Sequence, residues 1–255
     1  MEANFTKSGR YENAVVRGGV PGASIFSSYG ELTTSGAVTD HMIWPLAGTG
    51  DLAVPAEAGV QLTISSSTTN DAAAGTGIQT LKIHYLDGNL NEQSEIIAMN
   101  GTTGVTTAAT DIRYVNCMHI VTVGSDKAAD GNISAVHSGT TYGYIASGKR
   151  RCSNSFCRIP AGKRLLISGL YAGSSSGSAA AKSIVRLVTT GISVHDYTED
   201  AITIPHAGIA LQDSTETMVF EMPFPVPAGA VVGFEVTTNK AATINAGFFG
   251  WLENV

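Results

Sequence analysis

Val54-Pro55-Ala56-Glu57-Ala58-Gly59-Val60-Gln61-Leu62, Ile159-Pro160-Ala161-Gly162-Lys163-Arg164-Leu165 and Val226-Pro227-Ala228-Gly229-Ala230-Val231-Val232 open three stretches of the chain in the same way. Proline fixes φ and lacks an N–H, so it sits at an edge or at the first residue of a strand, not inside one. The small residues and glycine that follow turn the chain, and the apolar residues after them begin a strand. Such openings predict an all-β protein of two antiparallel β-sandwich, jelly-roll-like units.

The stretches between these openings carry regular strand signals. In Thr80-Leu81-Lys82-Ile83-His84-Tyr85 apolar and polar side chains alternate, which gives one buried and one wet face. Asp87-Gly88 follows as a hairpin signal, and a returning strand over 93–99 ends at Asn100-Gly101. A long strand is expected over 112–123, and two shorter ones over 132–145 around Ser138-Gly139. Residues 51–147 then form the first sandwich. The polar, basic stretch 147–154 marks the boundary, and 148–255 form the second unit, with strands over 164–171, 183–190, 217–222, 231–238 and 243–252. Ala179 to Leu187 is the one helix candidate, and Ile184 and Val185 turn it towards strand, so no helix longer than two turns is expected.

Residues 1–50 differ. Phe5, Tyr11, Phe26 and Tyr29 are scattered among Gly and Ser with no sustained period, which predicts an extended N-terminal arm with these aromatics as its anchors. Such an arm, when ordered, is held by its own domain or by a neighbouring subunit.

Composition narrows the function. Hydrophobic residues make up 43% of the 255, enough for a core, while charged residues make up 14%, against about 25% in ordinary soluble domains. A surface with few ions to desolvate suits a protein covered by its neighbours. The chain has no apolar run long enough for a transmembrane helix, and no basic stretch followed by an apolar one at its start. Synthesis in a cytosol, without membrane insertion, is therefore expected, and the Asn-x-Ser/Thr triplets at Asn4, Asn100 and Asn132 are incidental. Three cysteines argue against a disulfide framework. Cys152 and Cys157 can be bridged only through a turn at Asn154-Ser155.

The catalytic and metal motifs are weak. Gly173-x-Ser175-x-Gly177 matches a nucleophile elbow as text, yet it lies in a serine-rich loop without the helix an elbow needs. Gly48-Thr49-Gly50 has no βαβ unit around it and reads as a turn. The stretch from Asp126 to Asn132 lacks the ligand spacing of a calcium loop. The six histidines are dispersed with no metal-binding spacing, and no pair of acids stands out as general acid and base. No catalytic residue, cofactor or metal is expected.

One charge feature stands out. From Gly131 to His195 there is no Asp or Glu, while the same stretch holds eight of the fifteen basic residues. Lys149, Arg150, Arg151, Arg158, Lys163 and Arg164 form its candidate partner-binding segment, followed by Lys182 and Arg186. Segregated charge steers association with an acidic surface. Nucleic acid fits poorly, because the net charge is −6 and no aromatic platform interleaves with the cations.

The stretch from Thr68-Thr69-Asn70-Asp71 through Gly75-Thr76-Gly77-Ile78-Gln79-Thr80, followed by Tyr85-Leu86-Asp87, resembles tailed-bacteriophage virion structural proteins. Asn100-Gly101-Thr102-Thr103 and Ile159-Pro160-Ala161-Gly162-Lys163 share that resemblance, which covers about residues 43–170. It implies a component of the phage particle, located in the virion, with no enzymatic activity. The expected role is a capsid decoration or cement protein, a homotrimer that binds the major capsid protein or another virion component. The alternative is a neck, collar or tail-fibre component that binds a host-surface glycan, for which Phe248-Phe249-Gly250-Trp251 is the aromatic candidate.

Overall fold

The computed structural model describes residues 8–46, 58–178, 180–190 and 204–255. The chain enters through helix α1 (Ser8–Val16) and strands β1 (Ala23–Ser27), β2 (Gly30–Thr33) and β3 (Val38–Met42). There follow β4 (Thr63–Ser66), β5 (Ile78–Leu86), β6 (Glu92–Ala98) and β7 (Val105–Thr106). Next come β8 (Tyr114–Val123), β9 (Ile133–His137) and β10 (Thr140–Ile145). The C-terminal part holds β11 (Cys157–Arg158), β12 (Lys163–Ser175), β13 (Ser183–Thr190) and β14 (Ile204–Leu211). It ends with β15 (Thr215–Val226), β16 (Val231–Thr238) and β17 (Thr243–Asn254).

The protein is all-β, and its described strands build four small antiparallel sheets. Two come from the middle of the chain, in the orders β10-β9-β4-β7 and β6-β5-β8. The other two run β1-β17-β12-β15, with β2 also on β17, and β11-β16-β13-β14, with β3 also on β16. Val54 to Glu57 of the first proline opening lie outside the described residues, and the openings at Pro160 and Pro227 behave as their chemistry demands. Gly162 and Gly229 turn the chain with φ of +68° and +80°, where a Cβ would be strained, and β12 and β16 start one and two residues later. Gly59 likewise has φ of +74°, and Val60 pairs with Ile112 before β4 begins.

Each pair of sheets shares one apolar cluster. Leu62, Ile64, Ile133 and Ala135 meet Leu81, Ile83, Ile97 and Met118 in the first. Leu165, Ile167, Leu170, Ile244 and Phe248 meet Val185, Leu187, Val232, Phe234 and Val236 in the second. A third cluster joins the two, with Leu86 and Tyr114 from one side, Val188 and Val231 from the other, and Trp44 and Phe156 between them. Phe156 lies flat against β16 at Gly233, where any Cβ would run into its ring.

The described part of the N-terminal segment is held by its own chain. β1 and β2 lie along β17, and β3 lies along β16, so residues 23–42 complete sheets made by the far end of the same chain. The helix α1 corrects the expectation that no helix exceeds two turns. Its sequence hides it, because Ser8 and Gly9 at its start and Val15 and Val16 at its end have lower helix propensity. The stretch 183–190 is strand, as Ile184 and Val185 indicate.

Replacing Phe156→Ala removes the ring that fills the junction between the sheet pairs. Unfolding free energy is expected to fall by about 3–5 kcal/mol. A urea midpoint equal to that of the parent chain would contradict the junction role.

Candidate functional site

A cleft of about 270 Å³ opens where the N-terminal strands meet the middle sheets. One wall is the end of β1 and the turn after it, Phe26 to Tyr29. The opposite wall is the wet face of β5 and β8, with His84, Asn116 and Cys117. The segment from Arg151 to Cys157 forms the floor, and Glu92 and Gln93 of β6 stand at the rim.

Antiparallel register places the wall residues. His84 pairs with Cys117 and Lys82 with His119 on β5 and β8. The rings of His84 and His119 therefore stack, with centroids 5.0 Å apart and planes 20° apart. These histidines lie thirty-five positions apart in the chain, so spacing alone does not show them as neighbours. Among the described residues no three His, Cys, Asp or Glu side chains converge as a metal site.

Asn116 latches the floor to the wall. Its side-chain oxygen accepts from the Arg158 N–H at 2.9 Å, and its amide donates to the Arg158 carbonyl at 3.2 Å. Cys152 lies against Cys117 with the two Sγ atoms 3.1 Å apart, and its N–H donates to the Met118 carbonyl at 2.9 Å. Cys157 is buried on its own, so the sequence neighbours Cys152 and Cys157 are not the pair that meets. Burial pushes the Cys157 thiol up to about 12.

The basic segment is distributed, and much of it is spent inside the chain. Lys149 pairs with Glu31 at 2.9 Å, Lys163 with Glu92, and Arg164 with Glu253, its Nε at 3.1 Å. Arg186 pairs with Asp40 at 2.7 Å. Every one of these acids lies outside the acid-free stretch, which is how the charge segregation is closed by the fold. Arg158 is buried and donates to the Gly229 carbonyl at 3.0 Å. Arg150 donates to the Lys127 carbonyl at 2.6 Å. Arg151 is exposed at the cleft, with no ion pair to a described carboxylate.

Of the aromatic anchors, Tyr11 donates to Glu253 at 2.8 Å and rests on Trp251, with ring centroids 5.5 Å apart. Phe26 stacks on Phe248 at 6.0 Å, and Tyr29 donates to Glu31 at 3.2 Å. All three are used within their own chain. Phe5 lies outside the described residues.

The Phe248-Phe249-Gly250-Trp251 cluster is not an exposed platform: Phe248 is wholly buried and Trp251 is 6% exposed, beneath α1. Gly173 and Ser175 end β12, and the Ser176 N–H donates to Asp213 at 2.6 Å. The stretch after Asp126 is a turn wrapped around Asp71. That carboxylate, fully buried, accepts from Ser66 Oγ and from the N–H groups of Ile78, Asp130 and Gly131 at 2.6–3.0 Å. Nothing in the spacing of Asp71 singles it out as a buried acid. An Asp followed by small residues and Gly marks a turn.

No family model matches the chain, and no curated protein matches it. Among solved structures, the chain is similar to the VP2 subviral particle of infectious bursal disease virus. The identity is 12%, over 92% of this chain and 72% of that one, with a TM-score of 0.23. It is likewise similar to the T=1 particles derived from infectious bursal virus, at 12% identity over 91% of this chain and 74% of that one, with a TM-score of 0.20. At these TM-scores the likeness assigns no role to this chain.

The His84 imidazole sits below its ordinary value of 6.5 because burial disfavours its charged form. His119 and Lys82 add repulsion, and Glu92 opposes them. As pH falls, the unfolded chain takes up this proton before the folded one does. The stability His84 contributes is therefore whole above pH 6.5 and is lost as pH falls through the lower folded value. His84→Asn is expected to flatten the loss of stability between about pH 7 and pH 5. Urea midpoints across that range check it, and an unchanged slope contradicts it.

Proposed function

We propose that this chain is a non-enzymatic structural protein of a tailed-phage virion, a decoration or cement protein that binds the assembled capsid shell. Its four sheets are read as two β-sandwich units of jelly-roll-like kind. The observation that carries the reading is β15. Among the described residues it is an edge strand, paired to β12 alone, and Val219 and Met222 on it are 69% and 83% exposed. A twelve-residue edge with bare apolar side chains is a liability in a free monomer and an asset in a protein that works under neighbours. The low charge content and the resemblance over residues 43–170 support the same reading. Binding only the assembled shell would stabilise that shell by mass action.

Arg150 and Arg151 are exposed cations of the basic segment with no ion pair to a described carboxylate, and they are the ones assigned to an acidic surface on the capsid. Self-association as a trimer belongs to the same proposal.

The second reading is a neck, collar or tail-fibre component. The cleft favours it, because Tyr29 and Phe26 face Gln93, Asn154 and Arg151 there, a mixture of rings and polar groups suited to one sugar residue.

Counting this chain on the intact particle by cryo-EM tests both. Copies spread over the icosahedral faces are expected; copies confined to one vertex or the tail would move the proposal to the second reading, and absence from particles would overturn both. Val219→Asp with Met222→Asp is expected to weaken attachment about tenfold or more, measured by co-sedimentation with undecorated particles. Attachment equal to that of the parent chain removes β15 as the contact.

A further inference from the structure

Cys117 and Cys152 are brought together by the fold and by nothing in their spacing. The antiparallel bridge between His119 and Arg151 seats the segment before β11 on β8. The Cys152 N–H donates to the Met118 carbonyl at 2.9 Å, and the Met118 N–H donates to the Cys152 sulfur at 3.3 Å. The two sulfurs lie 3.1 Å apart, both side chains are partly exposed, and both line the cleft. A disulfide bond is about 2.05 Å long, so closing it requires the sulfurs to approach by about 1 Å, within reach of side-chain rotation.

We propose that Cys117 and Cys152 are a thiol–disulfide site, which a small-molecule disulfide entering the cleft oxidises to a bond between β8 and the segment leading into β11. The Cys152 thiolate attacks one sulfur of the oxidant and expels the first thiolate, leaving a mixed disulfide. Cys117 then gives its proton to solvent, attacks the Cys152 sulfur and expels the second thiolate. Two protein thiols lose two protons and two electrons, and one oxidant disulfide takes them up to become two thiols.

The surroundings assign the order of attack. The hydrogen bond between the two thiols lowers the Cys152 thiol; the Met118 N–H and the positive charge of Arg151 lower it further, against the effect of burial. The same hydrogen bond, together with burial, raises the Cys117 thiol, which suits the resolving partner. Cys157 is 4% exposed in the core of the C-terminal sheets and stays a thiol.

The bond ties the floor of the cleft to its wall and encloses β9 and β10 in a covalent loop. A chain made reduced and later oxidised would thus be locked where the segment leading into β11 lies on β8. The inference stands on the thiol geometry and does not depend on the virion reading.

The test is oxidation of the full chain with glutathione disulfide, followed by alkylation under denaturing conditions and mass analysis. Alkylatable thiols are expected to fall from three to one, with Cys117 and Cys152 joined in one proteolytic fragment pair. The melting midpoint is expected to rise on the order of 5–10 °C and to return on reduction. Cys117→Ser and Cys152→Ser each abolish the rise, and Cys157→Ser keeps it; where one serine variant folds poorly, the other and the fragment map decide. Three alkylatable thiols after oxidation, a stable glutathione adduct at Cys152, or a fragment joined through Cys157 would each overturn the proposal.

Discussion

The junction of Trp44, Leu86, Tyr114, Phe156, Val188 and Val231 is the constraint on which the rest of the molecule depends. Each pair of sheets closes its own core. The third cluster is what makes them one body. Burying a side chain of this size contributes about 1.5–3 kcal/mol, so six of them outweigh the weak surface ion pairs nearby. Phe156 is central because Gly233 leaves β16 bare beneath it. The segment that carries Phe156 also carries Arg151, Cys152 and Cys157, so packing that ring sets the floor of the cleft.

Electrostatics follow from the same closure. A chain with few charges and a long acid-free stretch looks, as text, like a basic patch awaiting a partner. In the fold, Glu31, Glu92, Glu253 and Asp40 come from outside that stretch and meet Lys149, Lys163, Arg164 and Arg186. Pairs of this kind on a partly exposed surface add little stability, but Lys163–Glu92 and Arg186–Asp40 orient β6 and β3 against the C-terminal sheets. They also reduce the surface cations left to a partner, and Arg151 at the cleft is one that remains.

The exposed apolar side chains are not scattered evenly. Val16 and Ile25 flank Trp251 and Phe249 on the outer face of the β1-β17-β12-β15 sheet, and Met218, Val219 and Met222 lie on its edge strand. The outer face of that sheet therefore keeps apolar side chains open to solvent, as Ile96, Val121 and Ile184 are on β6, β8 and β13. α1 covers part of it through Tyr11 and Val15, which explains why a short helix of modest propensity is kept.

Local chemistry reaches as far as the strands. The Pro-small-Gly openings, the alternation in β5, and the turn pairs at Asp87-Gly88 and Ser138-Gly139 specify strands through φ restriction and period-2 burial, which nearest neighbours in the chain decide. Strands β1 to β3 carry no such period because they join sheets whose other members lie about two hundred residues away, and their burial is set by those partners. The meeting of His84 with His119, the contact of Cys117 with Cys152, and the neutralisation of the basic segment belong to the same class. The sequence by itself determined an all-β chain, the places where it turns and most of its strands. Which distant side chains share a wall was decided only by the tertiary structure, because antiparallel register brings together residues whose separation along the chain carries no signal of it.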